Sequence, residues 1–155
     1  MNSKYRINIK TDQIIKDQGN LGISFYSPDW KEATSVEVKA IELKKLKEAK
    51  MSEVKAKRDK DLSEDVEVKQ GTFQHSATSD INLIGYKECL EIGCKSMISW
   101  KLKNNIKVKL TTEIINDWLK AIAKQRSQVF QDYFDLKEKI DNAKTISTLN
   151  KIIIK

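Results

Sequence analysis

Tyr5, Ile7 and Ile9 alternate with Arg6, Asn8 and Lys10, the period of a strand with one covered face. Gly19, Asn20, Leu21 and Gly22 signal a turn, and residues 23–26 read as a second short strand. Ser27, Pro28 and Asp29 close this small β-rich head, because Pro28 cannot donate to a ladder. From residue 35 the period changes to that of a helix. Ser35 is a candidate cap, and Val36, Ala40, Leu43, Met51, Val54 and Leu62 share one side among Lys and Glu. The spacing predicts a helix over 35–62 with a narrow apolar stripe.

Further along, Val66 and Val68 alternate with Glu67 and Lys69, Gln70 and Gly71 supply a turn, and Thr72 and Phe73 return. Ser76, Thr78 and Ser79 offer caps for a helix over about 79–92, ended by Gly93. That helix carries Ile81, Ile84 and Ile92 on one side and Leu83, Tyr86 and Leu90 on the other, so burial on both is expected. A second hairpin sets Ile98, Trp100, Leu102, Ile106, Val108 and Leu110 against Lys101, Lys107 and Lys109, turning at residues 103–105. Residues 112–143 then read as one helix about 48 Å long, capped by Thr111 or Thr112. Its stripe contains Ile114, Ile115, Trp118, Ile122, Val129, Tyr133, Leu136, Ile140 and Ala143, with Gln125 and Arg126 interrupting it. A helix of that length should meet another helix, residues 36–62 first among the candidates, or another subunit. In the tail, Ile152, Ile153 and Ile154 should be covered or used for association.

The expected class is α+β: long amphipathic helices with two short β-hairpins, plus a small β-rich N-terminal head. The reading divides the chain into a head, 1–35, expected to bind a partner, and a helical α+β domain, 36–155. The words that carry the second part are Val66 to Phe73, then Ser99 to Thr111 with Trp100, Asn105, Val108 and Leu110, then the long helix. Over roughly residues 36–152 the chain resembles a domain of unknown function found in bacteriophage and prophage tail-fibre or tail-associated proteins. Residues 89–97 depart from that pattern. The resemblance implies a virion-assembly or tail-fibre role with another phage tail or tail-fibre protein as partner. The place would be the virion tail, or the host cytoplasm during assembly. Two versions follow, a permanent virion component and an assembly chaperone absent from the mature particle. No catalytic residues carry over.

Charge changes this picture little. The chain has 29 basic and 22 acidic residues, a net charge of +7. The excess is spread along the whole length, and only Arg6, Arg58 and Arg126 are arginine, the residue suited to bidentate phosphate and base contacts. A small basic nucleic-acid-binding protein is therefore the weaker alternative. No run of about 18 apolar residues is present to cross a membrane, and since Met1 to Tyr5 carries no hydrophobic segment, no secretory leader is expected.

Candidate chemistry is thin. Cys89 and Cys94 are five apart, which fits neither a redox CxxC pair nor a zinc site, and they read as buried core thiols. His75, the one histidine, reads as a turn residue rather than half of a nucleophile pair. The carboxylate pairs Asp59 and Asp61, Glu64 and Asp65, and Asp132 and Asp135 lie mostly among lysines, as solvated faces do. No phosphate-binding glycine motif occurs. The expectation is a non-enzymatic protein with no catalytic, cofactor-binding or metal residues.

The aromatic residues are more informative. Trp100, Trp118 and Tyr133 fall on apolar stripes and read as core. Phe25, Tyr26 and Trp30 cluster in the small head, where little core is available. Phe130 and Phe134 form a weaker strip off the main stripe of the long helix, with Leu119 and Ala123. These five aromatics, Phe25, Tyr26, Trp30, Phe130 and Phe134, are the candidate partner-binding residues, with homo-oligomer formation a further option. For Phe130 and Phe134, burial against the first helix is the equal alternative.

Overall fold

The computed structural model describes residues 4–17, 29–94 and 98–154. The fold is α+β, with helices joined to small antiparallel strand sets. Three strands, β1 (Lys4–Asn8), β2 (Ile14–Asp17) and β3 (Trp30–Ala33), form an antiparallel sheet in the order β2-β1-β3. β1 is the predicted first strand. β2 and β3 went unpredicted, being short and without clean alternation. The expected turn at residues 19–22 and strand at 23–26 lie outside the described residues. Asp12 takes a positive φ of 54° in the β1–β2 connection, where Asn8 Oδ1 accepts from the Lys10 N–H at 3.0 Å.

Helix α1 (Ser35–Leu62) has the predicted span, but Thr34 caps it rather than Ser35. The Thr34 hydroxyl accepts from the Glu37 N–H at 3.2 Å, and the Glu37 carboxylate accepts from the Thr34 N–H at 2.9 Å. This is a reciprocal capping box. The buried stripe also differs at its start. Val36 is 74% exposed, whereas Val38 is buried.

The hairpin of β4 (Val66–Val68) and β5 (Gly71–Phe73) pairs Val66 with Phe73. Gly71 holds φ at 133°, and a Cβ there would lie 3.0 Å from the Asn104 amide nitrogen and 3.2 Å from Leu102 Cδ1. Both conditions require glycine. Helix α2 (Ala77–Glu91) is capped by Ser76, whose hydroxyl accepts from the Ser79 N–H. Only one of its two apolar sides is covered. Leu83 is fully buried, while Ile81 and Ile84 are exposed.

At its end, Gly93 at φ 81° turns the chain back, and the Gly93 and Cys94 N–H groups donate to the Leu90 and Cys89 carbonyls. This pair of bonds is a Schellman cap, and it brings the Cα atoms of Cys89 and Cys94 to 5.3 Å, joined by a disulfide. The expectation of free core thiols is thereby corrected. The spacing of five fits no redox or zinc motif, but the turn at Gly93 folds Cys94 back beside Cys89.

Strands β6 (Ser99–Lys101) and β7 (Lys107–Lys109) form the second hairpin with Trp100 opposite Val108. The Lys103 N–H donates to the Thr72 carbonyl at 3.1 Å, linking it to the first hairpin. Helix α3 (Thr112–Asn142) starts behind Thr111, whose hydroxyl accepts from the Ile114 N–H. Helix α4 (Ile146–Asn150) has a Thr145–Thr148 capping box and buries Leu149, while Ile153 remains exposed.

Two compact units result. One comprises residues 1–52 and 139–155, and its buried residues include Ile7, Val38, Ile140, Ala143 and Leu149. The other comprises residues 53–138, with a core in which Val66, Phe73, Leu83, Leu102, Val108, Leu110, Ile115, Trp118 and Ile122 are buried. In this second core, Phe73 packs on Trp100 and Trp118 with ring centroids 5.1 and 5.2 Å apart. The Trp118 indole N–H donates to Gln70 Oε1 at 2.9 Å. The packing reading of Trp100 and Trp118 is what the fold contains.

Candidate functional site: an aromatic ridge beside a buried ion cluster

Within residues 53–138, α3 shows two different faces. On one, Val129, Tyr133 and Leu136 line a small cleft together with Val54 and Arg58 of α1, and the Arg58 guanidinium lies 4.8 Å from the centre of the Tyr133 ring. This cation–π contact and the apolar stripe fix the helix in place. Phe130 and Phe134 stand on the other face. They are 41% and 56% exposed, and their rings stack with centroids 6.4 Å apart and planes 28° apart. Burial against α1 is therefore not their role, since Tyr133 occupies that side. Tyr133 supports the pair from below, its ring 5.4 Å from that of Phe134.

The four-residue spacing produces this ridge. Side chains four apart on an α-helix are neighbours, about 6 Å along the axis and about 40° around it. Carried back one step, the same row reaches Arg126, and carried forward it reaches Glu138.

Arg126 belongs to a cluster the sequence reading missed. Its Nη2 donates to Asp80 Oδ2 at 2.5 Å and lies 3.4 Å from His75 Nε2. His75 Nε2 is itself 3.2 Å from the Asp80 carboxylate. Both His75 and Asp80 are buried. The expectation that His75 is a plain turn residue is corrected: the β5–α2 connection turns its ring inward, toward the first turn of α2. The available signals were Asp80, a carboxylate in that first turn, and Arg126, a charge breaking the apolar stripe. His75 Nδ1 and Gln125 Oε1 are buried without a hydrogen-bond partner.

A second ion pair braces the same region. Lys103 Nζ donates to Asp65 Oδ2 at 2.8 Å, and the His75 backbone N–H donates to Asp65 Oδ1 at 3.3 Å. The Lys103 ammonium first, and the His75 N–H after it, hold the Asp65 carboxyl below the usual carboxylate range.

The other predicted residues fall elsewhere. Phe25 and Tyr26 lie outside the described residues. Trp30 starts β3 opposite Asn8 and is half-buried. The structure thus brings together Phe130 and Phe134 of the five. On the outer face of the second hairpin, Lys101 and Lys107 sit directly across from one another, with Lys109 opposite Ser99, and all three lysines are exposed. Among the described residues, no group of three or more His, Cys, Asp or Glu could hold a metal ion, and no helix is long and apolar enough to cross a membrane.

No curated protein and no solved structure matches the chain. One family does. The family described as Domain of unknown function (DUF4376) matches residues 45–153, which takes in both hairpins, α2, α3 and the aromatic ridge, and the chain belongs to this family.

Proposed function

We propose that this protein is a non-enzymatic structural or assembly module of a phage tail or tail fibre, acting by protein–protein interaction. The observation that carries the interaction reading is the stacked Phe130–Phe134 pair, held open to solvent on a helix locked from its other side by Tyr133 and Arg58. Two phenyl rings fixed in advance lose little side-chain freedom on binding, and covering them removes apolar surface from water. The tail assignment draws its support from the resemblance of the Trp100–Thr111 hairpin and the long helix that follows. The test is co-purification with candidate phage tail and tail-fibre proteins. Binding that Phe130→Ser with Phe134→Ser abolishes, in a chain with unchanged circular dichroism, supports the reading. Indifference of every tail complex to the double substitution overturns it. Mass spectrometry of purified particles then separates a virion component from a chaperone, which is absent from them.

A second reading, polyanion binding, is favoured by one observation. Lys101 and Lys107 are register partners, and like charges directly opposite destabilise a hairpin. Phosphates laid along the ribbon would relieve that repulsion. Absence of DNA or RNA retention at about 50 mM salt ends this reading.

A further inference from the structure

The row Arg126, Phe130, Phe134, Glu138 has the same chemistry when read backwards against itself. A cation and an anion flank two rings. Laid antiparallel on a second copy, with the two-fold axis passing between the rings, Phe130 meets the partner's Phe134. Arg126 then meets the partner's Glu138. By helix geometry Phe130 and Phe134 lie about 20° to either side of the contact line, and Arg126 and Glu138 about 60° to either side. These are the places where a core and a charged rim belong in a helix pair.

We infer that α3 docks on α3 of a second copy of this chain, antiparallel, through this four-residue ridge. The inference deepens the interaction reading above and rests on it. Three observations select a second copy over an unrelated helix. Charge complementarity is built into one row, so the same surface supplies both halves of an isologous contact. One guanidinium nitrogen of Arg126, Nη2, is engaged by Asp80, yet 46% of the side chain stays exposed, so the remaining N–H groups can still serve an incoming carboxylate. Glu138 is exposed and has no ion pair among the described residues. The neighbouring positions agree, because the same axis sets Ser127 opposite the partner's Lys137 and brings no like charges together. Rows four residues apart on both helices interdigitate in the common crossing class near −50°.

The ridge is narrow, so association should depend on concentration rather than be permanent. Sedimentation equilibrium on the full chain tests it. The wild type should show a monomer–dimer equilibrium. Phe134→Ser and, separately, Glu138→Arg should each weaken it at least about tenfold without loss of helical content, since both positions are exposed. A wild type monomeric up to about 1 mM overturns the inference. So does a Glu138→Arg protein that dimerises as well as the wild type, because the register requires that charge. The two proposals fail separately. A monomeric chain whose tail-protein binding still needs Phe130 and Phe134 sinks the dimer and leaves the interaction module, with the ridge then taken by that other protein.

Discussion

Arg126 donates to the Asp80 carboxylate at 2.5 Å, joining the middle of α3 to the first turn of α2. Asp80 is buried, and His75 on its other side is more buried still. The carboxylate therefore has a large desolvation cost that its partners must offset.

Removing the guanidinium should expose that cost. Arg126→Met leaves Asp80 facing only His75 and should destabilise the fold by about 2 kcal/mol, below the usual loss for a fully buried pair because Arg126 is half open to solvent. Asp80→Asn in the Arg126→Met background should cost little more, since the uncompensated charge is then gone. Urea unfolding of the two single variants and the double variant checks this. Strict additivity across the cycle would show that the bond contributes nothing.

The Cys89–Cys94 disulfide closes a short loop over the Schellman cap of α2. Cross-linking so short a loop should stabilise by about 2 kcal/mol through the unfolded chain. Reduction, or Cys94→Ser, should lower the melting temperature by several degrees, while the backbone bonds at Gly93 keep the helix end in place. Intact mass after alkylation without reductant is the direct check, because a paired protein takes up no label.

Gly71 makes a sharper prediction. Gly71→Ala must accept a φ of 133° and a Cβ pressed between the Asn104 amide and Leu102. Leu102 is buried and cannot yield freely. The expected cost is about 2 kcal/mol, read as a lower urea midpoint. A substitution at Gly85, whose Cβ would meet nothing within 4 Å, is the control.

Acid should weaken the fold through carboxylates that lysines hold ionised, Glu37 and Asp65 among them. Lys31 first, and the Thr34 cap after it, lower the Glu37 carboxyl from 4.5 to about 2, and Lys103 lowers Asp65 below its ordinary 3.8. Each folded-state pKa lies below its unfolded value, so the stability they contribute is full at neutral pH. It is lost as pH falls from about 4.5 toward about 2. Glu37→Gln should flatten part of that decline in a series of urea midpoints. A decline of unchanged slope would show that the capping box is not one of its sources.

The same features explain how much could be read without coordinates. Local signals were sufficient for α1, α3 and both hairpins. Period and capping residues are properties of neighbours in the chain, and Trp100 opposite Val108 follows from alternation about one turn. What covers a face is not a local property. Val36 and Ile81 lie on apolar stripes and are exposed. The candidate ridge was legible as a strip at helical spacing, but its exposure depends on Tyr133, not Phe130, meeting Arg58. His75, Asp80 and Arg126 come from separate parts of the chain and meet only once it has folded, and the disulfide depends on the turn at Gly93, which folds Cys94 back beside Cys89.

The lysine pair on the second hairpin separates stability from use. Lys101 and Lys107 face each other with nothing of opposite charge bonded to them among the described residues. If folding alone shaped this ribbon, Lys101→Glu would be an improvement, turning a repulsive cross-strand pair into an attractive one worth about 0.5 kcal/mol. The expected outcome is a small rise in the urea midpoint for that variant. If the ribbon also holds phosphates, the same change should remove DNA retention at about 50 mM salt and lower the salt dependence by about one ion. A more stable variant that binds DNA as well as the wild type would assign these lysines to solvation alone.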